Sequence, residues 1–179
     1  MKQFCIALCM PLAAVLAMAQ PPAPANPFST SAKGVYTIVK VNVIKAAEKM
    51  PEANYSFKPT PDVRSFGQIV GHIADAQYLF CSMATGGSEQ GPGVEKNKTA
   101  KADLVAALKD AFAYCDQVYD SMTDASAAQI IKVLGRDAPR VTALTFNAAH
   151  LDEHYGNIVT YMRLKGLVPP SSETATSRR

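Results

Sequence analysis

The sequence predicts an all-α protein, a four-helix bundle preceded by a cleavable signal peptide. Three observations carry this expectation. Four long segments repeat apolar residues at spacings of three and four, and capping or breaking residues bound them. The N-terminus is a short apolar run ending in a small-x-small triplet. The chain holds only 3 histidines, and two of them, His150 and His154, lie one helical turn apart.

The elements follow in order. Lys2 is a basic start, Phe4 to Leu16 is mostly apolar, and Ala17-Met18-Ala19 precedes Gln20. Residues 1–19 therefore read as a secretory signal peptide. The run is broken by Pro11 and is shorter than the ~20 residues a membrane span needs, so no stable anchor is expected after cleavage. Export places the mature protein in the periplasm or outside the cell. Residues 20–30 read as a proline-rich linker, 31–170 as the bundle and 171–179 as a disordered tail.

The first helix is expected from about Ser31 to Met50, with Val35, Ile38, Val39 and Ile44 as its apolar stripe and Pro51 as its stop. Tyr55 to Pro61 is an extended connector. The second helix starts near Ser65, which has capping-box spacing with Gln68, and runs to about Met83. Ile69, His72, Ile73, Ala76 and Leu79 recur along it. Ala84 to Lys98 is glycine-rich and reads as a loop long enough to bring the next helix back parallel. The third helix spans about Lys101 to Met122, with Leu104, Leu108, Phe112, Cys115 and Val118 inward. A short helical piece is expected over Ala125 to Val133. The fourth helix spans about Val141 to Lys165, capped by Gly166 and ended by Pro169-Pro170.

Composition excludes some functions. Lys plus Arg number 18 against 15 acids, a net charge of +3, and Lys2 leaves with the signal. That excess is too small to argue for nucleic acid, and no basic cluster is interleaved with aromatics. Two of the 4 cysteines leave with the signal. Cys81 and Cys115 remain, either as a disulfide formed in an oxidising compartment or as two buried thiols.

The chemistry lies with the histidines. His150 and His154 can grip one cation from one helix face, and His72 can approach from another helix. Three imidazoles would leave coordination positions open, as catalytic zinc sites do. Nickel and iron accept the same ligands. Asn147, His150, His154, Asn157 and Tyr161 fall on one stripe, and buried polar groups there need hydrogen bonds or a metal. Asp75, Asn147 and Asn157 are candidates to orient the imidazoles. His150-x-x-Glu153-His154 also matches the inverzincin pattern, but that family's later acidic ligand has no counterpart, since only Glu173 follows.

These residues resemble a known family. The lone His72, the His150–His154 pair and the run Tyr161 to Pro170 are similar to the DinB-like superfamily. So are Tyr55 to Pro59 and Val63 to His72. The resemblance implies an up-down-down-up four-helix bundle, often dimeric. It implies a divalent cation, zinc or nickel ahead of iron, on His72, His150 and His154. Some relatives are S-transferases or isomerases that use small thiols. The expectation is thus an exported metal-dependent enzyme of hydrolase or thiol S-transferase type, acting on a small molecule. The alternative is a non-catalytic metal-binding or structural bundle.

Overall fold

A computed structural model of the chain describes residues 25–176, with side chains as far as Glu173. The signal peptide assigned to residues 1–19 lies outside the described residues, as do residues 20–24 of the linker and the last three residues of the tail.

The fold is all-α apart from one small hairpin. Helix α1 spans Pro27–Lys49, α2 Phe66–Ala84, α3 Val94–Asn97, α4 Lys101–Ser121 and α5 Asp124–Ala127. The strands β1, Ile130–Val133, and β2, Arg136–Pro139, come next. Helices α6, Val141–Leu164, and α7, Pro170–Thr176, complete the order. Helix α2 packs on both α4 and α6, and α1 packs on both α6 and α4. One apolar core lies between these four, filled by Tyr36, Phe66, Ile73, Leu108, Phe112, Leu144, Leu151 and Ile158. Among the described residues no helix is long and apolar enough to cross a membrane.

Helix α1 begins four residues before the expected start. Pro27 occupies its first turn, where the missing N–H costs nothing. Asp124, at the start of α5, accepts the free N–H groups of Phe28 and Ser29. The expected stripe of α1 is also rotated. Val35 and Ile38 face solvent, Ile38 at 67% exposure, while Tyr36, Val39, Val43 and Ala47 are buried. The β-branched residues populate more than one face of α1, so their spacing alone does not choose the inward one. Tyr36 decides it: its ring stacks on Tyr119 at 4.1 Å between centroids, and its hydroxyl donates to the Phe112 carbonyl.

Helix α2 starts as read. Ser65 accepts from the Gln68 N–H, and Gln68 Oε1 accepts from the Ser65 N–H. All five expected inward residues of α4 are buried. Gly166 ends α6 in the left-handed conformation at φ 71°, and Leu167 N–H closes the turn on the Met162 carbonyl.

Three further readings change. The segment Ala84 to Lys98 is not wholly loop, since it contains α3. The piece Ala125 to Val133 is helical only as far as Ala127. Its remainder pairs as β1 with β2 across Leu134-Gly135, both at positive φ, the turn that suits a two-residue hairpin. The tail is helical over Pro170–Thr176. Tyr155 and Ser171 join α6 to it, and Lys49 of α1 pairs with Glu173. The open question about the cysteines is also answered. Cys81 of α2 and Cys115 of α4 form a disulfide, with Cα atoms 5.5 Å apart.

Candidate metal centre

Packing of α2 on α6 brings His72 to the pair on α6. His150 and His154 are four residues apart and lie on one face. Leu151 and Ile158, fully buried, turn that side of α6 inward. On α2, Ile69 and Ile73 are buried beside His72.

The three rings converge. His72 Nε2 lies 3.1 Å from His150 Nε2, and His154 Nε2 lies 3.0 Å from the same atom. One nitrogen from each ring falls within 4.8 Å of the others. The edge between two nitrogens on a tetrahedral zinc is ~3.3 Å for Zn–N of 2.0–2.1 Å. Two of the three observed separations are close to it.

Hydrogen bonding alone does not account for this cluster. A neutral imidazole carries one N–H. If His150 Nε2 accepts from both neighbours, its proton sits on Nδ1, a buried atom with no partner. His72 would then present a bare Nδ1 to the Glu95 carboxylate 3.1 Å away. A proton on His72 Nδ1 instead donates to Glu95 and leaves the Nε2 lone pair aimed at the other two rings. This donor set fits a divalent cation.

Electrostatics agree. Burial, and then the neighbouring His72, push His150 down to about 4. Burial, and then His150 and His72, push His154 down to about 4. Both rings are therefore neutral at pH 7, the state that coordinates metal.

The support around the rings differs from the expected one. Glu95, which the sequence did not single out, is the residue that holds His72. Its Oε2 faces His72 Nδ1 and its Oε1 accepts from Arg64 Nε at 2.9 Å. Asp75 makes no hydrogen bond to a histidine among the described residues. It accepts the N–H groups of Val94 and Glu95 at 2.9 and 3.0 Å, and so fixes the start of α3. Asn147 likewise makes no hydrogen bond to the rings among the described residues. It is fully buried, and its amide donates to Gln77 and lies over the disulfide sulfurs. Asn157 is in place, its amide 3.3 Å from His154 Nδ1. Tyr161 donates to the Arg64 carbonyl at 2.6 Å and anchors the entry to α2. Glu153 faces solvent.

Glycines set the approach of α3 to α2. A Cβ on Gly71 would stand 2.7 Å from Glu95 Cα, and one on Gly91 would stand 2.4 Å from Asp75 Cα. Gly93, at φ 73°, supplies the left-handed residue before α3.

Space opens on two sides of the rings. A cavity of about 600 Å³ reaches His154 past Arg64, Asn157 and Tyr161. Another of about 350 Å³ reaches His72 and His150 past Leu79 and Phe80.

A family model described as the DinB superfamily matches residues 38–158. Among solved structures, a DinB-like protein from Bacillus cereus ATCC 10987 superposes with a TM-score of 0.69 at 19% identity, over 79% of this chain and 95% of that one. A DinB-like protein from Bacillus subtilis gives 0.63 at 22% identity, over 76% and 92%. The mycothiol-dependent maleylpyruvate isomerase gives 0.60 at 11% identity, over 73% of this chain and 60% of that one. At these identities the likeness is one of fold. No curated protein matches the sequence.

Proposed function

Since the chain belongs to the DinB superfamily, we propose that it is an exported metal-dependent enzyme, a hydrolase or thiol S-transferase, holding a divalent cation on His72, His150 and His154. The observation that carries this reading is the convergence of three imidazole nitrogens. Zinc and nickel suit the donor set, and iron is accepted by it. A bound cation there would lower the pKa of water or a small thiol towards neutrality.

The chain's own residues have separate tasks. Glu95 fixes the His72 ring through Nδ1 and is itself held by Arg64. Asn157 faces Nδ1 of His154. The two cavities give a small-molecule substrate access to the rings, which favours catalysis over a closed structural site. The up-down-down-up bundle order belongs to the same proposal, supported by the long α2–α4 connection. The Cys81–Cys115 disulfide supports export, because such bonds persist in oxidising compartments.

Elemental mass spectrometry of protein from the exported fraction tests the reading, beside the triple His72, His150 and His154 to Ala variant. The expected result is one zinc, nickel or iron per chain, absent from the variant, followed by activity in a hydrolysis or thiol-transfer screen. A metal-free wild type after reconstitution would overturn the metal centre. Bound metal with no turnover would leave a metal-binding bundle. Intact mass of the exported chain would show Gln20 as its first residue if the signal peptide is cleaved as read, and sedimentation would show whether it pairs.

A further inference from the structure

The described lysines are unevenly partnered. Lys33, Lys40, Lys49, Lys109 and Lys132 each pair with a carboxylate. Lys101 donates to two backbone carbonyls, Lys165 lies over the Phe57 ring, and Lys45 acts on Glu173. The side chains of Lys58, Lys96 and Lys98 make no hydrogen bond or ion pair among the described residues; all three are exposed, and together they line one cavity of about 750 Å³.

That cavity is rich in donors and poor in acceptors. Ser56 and Thr99 add hydroxyl groups to it. Its one carboxylate, Glu95, is already engaged on both oxygens, by Arg64 and by His72. A ligand that brings acceptors and negative charge of its own is therefore the one that complements the cavity. The cavity also adjoins the histidines. Lys58, Arg64 and Glu95 line the cavity that reaches His154 as well, and Lys96 lines the one that reaches His72 and His150.

We propose that Lys58, Lys96 and Lys98 form an anion subsite beside the metal centre, so that the substrate is a small molecule carrying a carboxylate or phosphate group. This names the substrate class for the proposed enzyme and rests on that reading only for the word substrate. The three lysines are separate from the metal ligands, so the subsite exists with or without the cation.

The test is calorimetric titration with succinate and with inorganic phosphate at low salt, on metal-loaded and metal-free protein. The comparison is the combined variant Lys58→Gln, Lys96→Gln and Lys98→Gln, with Lys33→Gln, Lys109→Gln and Lys132→Gln as the control of equal charge loss. At least one probe is expected to bind wild type and the control. The combined lysine variant is expected to bind it about tenfold or more weakly, with rising salt weakening wild type in the same way. Its melting temperature and metal content stay unchanged. Equal affinity in the lysine variant and wild type, or no binding of either probe to wild type, overturns the subsite. Binding confined to metal-loaded protein and indifferent to the lysines places the anion on the cation and also overturns it. Failure of the metal reading looks different: no metal is retained, yet the anion still binds through the lysines.

Discussion

Glu95 links the three-histidine cluster to the rest of the molecule. Its carboxylate takes the proton side of His72 and is clamped by Arg64. Glu95→Gln keeps the shape but weakens the acceptor, so metal affinity is expected to fall about 10- to 100-fold with helicity intact. A chelator-competition titration beside circular dichroism checks this. The two depressed histidines give a pH dependence. His150 and His154 fall to about 4 in the fold from the ordinary 6.5. Between those values the unfolded chain binds more protons than the folded one. Their contribution to stability is thus present above pH 6.5 and is lost as pH falls towards 4. Metal-free protein should melt progressively lower over that interval. The drop should shrink in the His150→Gln, His154→Gln double variant, and an unchanged slope would refute it.

At the scale of elements, α3 matters far more than its four residues suggest. Asp75 holds its first N–H groups, and Gly71 lets it rest directly on α2. Gly71→Ala places a methyl group 2.7 Å from the Glu95 backbone, which must move. The expected outcome is weaker metal binding together with a lower melting temperature. Retained affinity would show that Glu95 follows the displaced backbone without losing His72. The capping box at Ser65 makes a plainer prediction. Ser65→Ala removes the acceptor for the Gln68 N–H and should cost about 1 kcal/mol in urea unfolding. Capping and core spacing were legible here because they are local rules. Ser65 and Gln68, the inward face of α4 and the Gly166 cap all depend on residues within one or two turns. The β1–β2 hairpin was missed although Ile130, Ile131 and Val133 are β-branched, because Leu at the first turn position does not advertise a positive φ.

At the scale of the whole molecule, the disulfide ties α2 to α4 across 34 residues of chain. Loop-closure entropy for that separation is worth about 4 kcal/mol, so the Cys81→Ser, Cys115→Ser double variant should unfold at clearly lower denaturant. An unchanged midpoint would mean that the bond contributes nothing to the fold.

Periodicity, capping and residue chemistry along short stretches of chain are enough to give the all-α class, most helix limits and the three histidines. The tertiary structure alone decided which face of α1 turns inward, whether Cys81 meets Cys115, and that Glu95 rather than Asp75 holds His72. Each of these joins residues on different elements, 23 positions apart for Glu95 and His72. No local pattern encodes such a meeting. It arises when α3 packs on α2 through Gly71 and the carboxylate is carried to the ring.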